Sequence, residues 1–126
     1  MNESISRRYF ALDLRDDDSL IAEYENWHRP NKVWPEVLES LRASGVREVE
    51  LFRCGNRLVM VMEVTGEPRG ADTLPSESTN PRVRAWEELM WQYQQALPFA
   101  RPGEKWVPMR RLFSLSEAIR DGASGG

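Results

Sequence analysis

The chain holds a single histidine, His28, inside the stretch "EYENWHRPNKVWPEV" (23–37). An imidazole titrates near neutral pH, so it can take and return a proton under cell conditions. Tyr24 lies four residues earlier, and on a helix the two side chains share one face. That pairing suits general acid–base chemistry by the imidazole, with a tyrosine near it. A plainer reading competes with it: a histidine at a helix C-terminus is favoured by the macrodipole and need do nothing else. The five tryptophans of this 126-residue chain pose a similar choice. Each could fill the core, or offer a flat platform to an apolar ligand face. Trp86 and Trp91, five apart, do not share a helical face, so at most one of them meets a pocket.

Other chemistries find little support. One histidine, the lone Cys54 and no HExxH pair leave only carboxylates for a metal, at spacings that suggest helix faces. The acidic runs "DDD" at 16–18 and "EE" at 87–88 read as solvated surface. No nucleophile-elbow motif, GxGxxG or GxxxxGK[ST] occurs. No cofactor is therefore expected. A net charge of −3 without a basic block speaks against nucleic acid or an anionic membrane as partner. No apolar run approaches the roughly 20 residues of a membrane span. The polar start "MNESISRRYF" has no signal-peptide core, and a single cysteine forms no intrachain disulfide, so a cytoplasmic setting is expected.

The elements that must position His28 follow from periodicity. "RRYFALDL" (7–14) reads as a strand, closed by the acidic turn "RDDDS". Asp18 or Ser19 is expected to cap the helix that carries Tyr24, and Pro30 to end it. A second helix opens near "NKVWPEV" with Pro35 in its first turn, and Gly45 stops it. "VREVELFRC" and "RLVMVMEV" read as strands joined by a hairpin turn at Gly55-Asn56. The stretch 65–81 reads as an exposed loop. A long helix, "RVRAWEELMWQYQQAL", follows Asn80-Pro81 and runs toward Pro98. "EKWVPMRRLFSL" (104–115) reads as a last strand, broken or edge-placed at Pro108.

The order β, α in two pieces, β, β, α, β predicts an α+β fold of ferredoxin-like βαββαβ plan, one domain over 1–115 with a flexible tail at 116–126. In the third strand Leu58, Met60, Met62 and Val64 alternate with Val59, Val61 and Glu63. A strand apolar on both faces calls for cover on both. Helices cover one face; a second copy of the chain would cover the other, closing a dimeric α/β barrel. Glu63 is then expected inside a mostly apolar cavity, a costly place for an idle carboxylate.

Together "RRYFALDL", "AEYENWHRP…VWPEVLESLRASGVREVELF", "NRLVMVMEV" and the "W…M" of the long helix resemble the L-rhamnose mutarotase family, over about residues 7–115. The Y-x-x-x-H pair and the W-P-E that opens the next helix are the most specific pieces. The resemblance implies a cofactor-independent homodimeric isomerase that interconverts sugar anomers on a monosaccharide substrate. It implies His28 as the catalytic acid–base residue, Tyr24 and Trp86 as sugar-binding residues, and Glu63 as the match to a family strand glutamate. Two positions depart from the pattern. Val49 stands near a sugar-contacting tyrosine of the second strand, and Glu87 replaces a second tryptophan, which places Glu87 among the substrate-binding candidates. These changes imply a subgroup acting on a related 6-deoxy-L-hexose, L-fucose first and L-rhamnose next. Two other functions of such a barrel stay open: a small oxygenase or haem-degrading enzyme, and a non-catalytic ligand-binding domain.

Overall fold

The computed structural model describes residues 4–65 and 80–124. The loop expected at 65–81 lies almost wholly outside them. The chain runs β1 (Ile5–Leu14), α1 (Asp18–Trp27), α2 (Pro35–Ala43), β2 (Val46–Cys54), β3 (Arg57–Thr65), α3 (Pro81–Trp91), β4 (Gln94–Gln95), β5 (Val107–Pro108) and α4 (Leu115–Ser124). The ferredoxin-like order is present, on an antiparallel sheet ordered β2-β3-β1-β4 with β5 also paired to β1. Among the described residues no helix is long and apolar enough to cross a membrane.

The hairpin forms where Gly55-Asn56 predicts it. Gly55 has φ of +61°, and Asn56 has no positive φ, the pattern of a type II′ turn. Gly45, at φ +89°, ends α2 as expected. The first helix is capped one residue earlier than expected: Asp17, not Asp18 or Ser19, accepts the Leu20 N–H at 3.0 Å. Asp18 instead lends its charge to the first turn.

The C-terminal third departs from the sequence pattern. The long helix ends at Trp91, well short of Pro98, because Gln94 and Gln95 turn aside to pair with Leu14 and Asp13 of β1. The expected last strand shrinks to Val107–Pro108, opposite Ala11 and Phe10. Pro108 has no N–H to extend a ladder, and the Pro102-Gly103 turn precedes it. Two short clips therefore stand on the β1 edge where one strand is expected. Past residue 115, where a flexible tail is expected, the chain is helical as far as Ser124. Ser114 Oγ accepts the Glu117 N–H there, as an N-cap does.

The predicted alternation in β3 is present. Leu58, Met60, Met62 and Val64 are buried beneath the helices, joined by Phe10 and Leu12 of β1. On the opposite face Val59 and Val61 are half-buried, Met109 and Phe113 approach Tyr9 and Val59, and much of the surface stays open: Tyr9 is 44% exposed and Phe52 53%. Asp13 is buried at its end and bound by both Nε and Nη2 of Arg57, at 2.8 and 3.2 Å.

Candidate active site

Tyr24 and His28 come from the last turn of α1. Tyr24 is the helix's buried residue, turned to the core by its spacing from Leu20 and Ile21. His28 is the C-cap, the first residue past the helix, and turns in the Tyr24 direction. Its Nδ1 lies 2.9 Å from the Tyr24 carbonyl oxygen, and the two rings are 4.5 Å apart. A carbonyl oxygen only accepts, so Nδ1 carries a proton. In the neutral imidazole Nε2 is then left with a free lone pair. Burial pushes the His28 pKa below its ordinary value, against the backbone hydrogen bond that would raise it. The ring is therefore neutral and basic at pH 7.

Trp86 arrives from α3 and is 5% exposed. Its ring is met edge-on by His28 at 5.8 Å, Trp27 at 6.1 Å and Trp34 at 5.3 Å. Trp34 is held in turn by the Arg82 guanidinium, 4.0 Å above its ring. Of the pair five apart, Trp86 meets the pocket and Trp91 is exposed, with the Lys105 ammonium 5.3 Å from its ring.

Tyr24, His28 and Trp86 line a cavity of about 400 Å³ between the helices and the sheet, within the range of small-molecule pockets, roughly 300–1,000 Å³. Its sheet wall is aliphatic: Val49 faces Met62 across the β2–β3 ladder, and Leu51 faces Met60. Trp106, just ahead of β5, closes another side. The polar groups are few. Tyr24 Oη accepts a hydrogen bond from Gln94 Nε2 at 3.2 Å, and burial pushes the phenol pKa up to about 12, so it stays protonated. Glu87 lines the same cavity and accepts from Lys105 Nζ at 3.0 Å. Among the described residues no cluster of three His, Cys, Asp or Glu could hold a metal ion.

Four of the five residues singled out from sequence thus come together: His28, Tyr24, Trp86 and Glu87. Glu63 does not. It lies on the other face of β3, where its carboxylate accepts from Arg7 Nε at 2.9 Å. The period-2 alternation that buries Met62 turns Glu63 to the opposite face, the one the sequence assigns to a second copy. Sequence reasoning missed Gln94 and Trp106. Gln94 sits in a stretch whose local pattern is helical, and Trp106 in one that reads as ordinary strand.

A family model for L-rhamnose mutarotase matches residues 7–115. The chain belongs to the L-rhamnose mutarotase family. It is 51% identical over 116 residues to the L-fucose mutarotase of Xanthomonas campestris pv. campestris, covering 92% of this chain and 93% of that one. It is 27% identical over 108 residues to the L-rhamnose mutarotase of Acidiphilium cryptum, covering 83% and 95%. The crystal structure of an L-rhamnose mutarotase from Formosa agariphila shares the fold, with a TM-score of 0.63 at 22% identity over 87% of this chain and 98% of that one. Members of the L-rhamnose mutarotase family are isomerases that exchange sugar anomers, and this mutarotase is one of them. The oxygenase and non-catalytic readings fall away with that membership.

Proposed function

We propose that the protein interconverts the α and β anomers of L-fucose, with L-rhamnose a poorer substrate, and that His28 is its catalytic acid–base residue. The observation that carries the chemistry is the Nε2 lone pair of His28, fixed by the Nδ1 bond to Tyr24 and set in a cavity shared with Tyr24, Trp86 and Glu87. Identity of 51% to an L-fucose mutarotase supports the choice of sugar.

Mutarotation asks little of a site. A proton leaves the anomeric hydroxyl, the bond between C1 and the ring oxygen breaks, and the ring oxygen takes up a proton. The open aldehyde rotates, and closure in reverse gives the other anomer. His28 Nε2 takes the anomeric proton, which a positioned base can speed by about 10²–10⁴-fold. Trp86 packs the C–H face and the 6-methyl group of the sugar. Tyr24 and Glu87 bind ring hydroxyls. The Glu87 carboxylate accepts from Lys105 Nζ and offers its oxygens to those hydroxyls as acceptors. The open sheet face, with Tyr9, Val61 and Phe52, is covered by a second copy of the chain. A largely apolar cavity whose one lining carboxylate, Glu87, is matched by Lys105 suits a neutral monosaccharide.

Saturation-transfer NMR tests this directly. Exchange between the anomeric signals of L-fucose, L-rhamnose and D-glucose is measured with and without the protein. Enzyme-dependent exchange is expected for the two 6-deoxy sugars, fastest for L-fucose. Exchange no faster than in buffer for all three would overturn the assignment.

A further inference from the structure

Gln94 is a polar side chain in an apolar setting. It is 2% exposed, and its backbone is pinned opposite Leu14 where β4 meets β1. Its amide lines the cavity together with Tyr24 and His28. Nε2 donates to Tyr24 Oη at 3.2 Å, and Oε1 has no hydrogen-bond partner among the described residues. Buried amide oxygens are almost always satisfied, so this one marks a place where a donor is expected from beyond the described residues. Tyr24 is complementary. Its oxygen already accepts from Gln94, and its own proton remains to be given. The pair therefore carries one acceptor and one donor side by side at the cavity wall, and Oε1, closed to water in the empty cavity, meets a ligand hydroxyl once the amide turns toward it. A single hydroxyl, which both donates and accepts, satisfies both.

We propose that Gln94 is a specificity-determining residue: its Oε1 accepts from one ring hydroxyl of the sugar, and that same hydroxyl accepts from Tyr24 Oη. The proposal rests on the mutarotase reading above and adds a contact to it. The β1–β4 pairing sets the Gln94 backbone and the Tyr24 hydroxyl holds its amide, so a sugar that lacks the hydroxyl leaves both Oε1 and the phenol proton unmatched. Sites built this way discriminate strongly against the analogue missing the group.

The test uses L-fucose and its 2-, 3- and 4-deoxy analogues, with anomer exchange measured by saturation-transfer NMR and corrected for each uncatalysed rate. The wild-type protein is expected to lose about tenfold or more on one analogue relative to L-fucose. Gln94→Met should lose a similar factor on L-fucose and treat L-fucose and that analogue alike. Its ratios for the other two analogues should match the wild type. Gln94→Glu is the conservative control. A carboxyl buried there keeps its proton to higher pH and mimics the amide, with O–H in place of N–H. It should discriminate like the wild type at low pH and lose that discrimination as it ionises and draws the Tyr24 proton to itself. A Gln94→Met enzyme with wild-type discrimination overturns the proposal and leaves the mutarotase reading standing. Equal exchange of all four sugars by the wild type does the same, whereas no exchange of any sugar overturns both. Should Gln94→Met fail to fold, the Gln94→Glu series decides, and a discrimination ratio independent of pH counts against the proposal.

Discussion

His28 hangs its imidazole from the main-chain carbonyl of Tyr24, one helical turn before it, through a 2.9 Å hydrogen bond from Nδ1. The bond uses an oxygen that the end of α1 would otherwise leave without a helical partner. One contact thus finishes the helix, selects the tautomer and aims Nε2 away from the backbone. The two readings of His28 raised by the sequence, helix cap and base, are compatible in this geometry.

If Nε2 is the base, His28→Ala should lower anomer exchange by about two orders of magnitude or more. The fold should persist, since Tyr24, Trp86 and Met90 carry the packing around it. Saturation-transfer rates alongside a thermal melt check both halves. A folded, fully active variant removes His28 from the mechanism.

The pH profile has a definite sign. A histidine serving only a helix C-terminus has its pKa raised by the macrodipole. Burial instead holds His28 below its ordinary 6.5. Activity should therefore be flat through neutral pH and fall only as pH drops through that lowered value. Stability follows the same direction. The unfolded chain binds this proton at a pH where the folded one does not, so the His28 contribution is whole above pH 6.5 and declines below it. Denaturation across pH 4–7, compared with His28→Ala, isolates it.

Tyr24→Phe removes one hydroxyl and keeps the ring. The lost bond to sugar is worth about 1–2 kcal/mol, or five- to thirtyfold in kcat/KM. Unchanged kinetics would make the Tyr24 hydroxyl a purely structural partner of Gln94.

Sugar preference should reside in the β2 wall. L-Fucose is expected to exchange about tenfold faster than L-rhamnose, with D-glucose slower than either. Val49 lines the cavity opposite Met62, so Val49→Tyr adds a phenol where the wild-type wall is aliphatic. That variant should move the ratio toward L-rhamnose. Equal wild-type rates on the two sugars would break the link between Val49 and specificity.

The far sheet face predicts self-association. Tyr9, Val59, Val61 and Phe52 present an apolar patch that water covers poorly. Sedimentation should give a dimer at micromolar concentration, and Val61→Arg should shift it toward monomer. A stable wild-type monomer would count against the barrel.

Much of this was legible before any coordinates. Alternation placed the faces of β3, Pro35 and Gly45 marked the limits of α2, and the Tyr24–His28 spacing put both in one cavity. Glu63 lies on the far face that its alternation with Met62 gives it, where it pairs with Arg7 and stands apart from the His28 cavity. Gln94 and Trp106 were not legible. Nothing local distinguishes "QYQQAL" from a helix; only the distant β1 edge draws Gln94 out of it. Long-range pairing leaves no mark on its own stretch of sequence.

The two clips on the β1 edge carry a consequence for the order of assembly. β2 and β3 meet across a two-residue turn, whereas Gln94 must find Leu14 and Val107 must find Ala11 from far along the chain. Closing long loops costs entropy before any contact repays it, so the hairpin forms early and the clips late. A two-residue ladder also opens more readily than a nine-residue one. Amide exchange should therefore be slowest in the β1–β3 ladder and fastest at β4 and β5. The imidazole end of the cavity then matures with the helices, and its amide end is the last to be fastened and the first to let go.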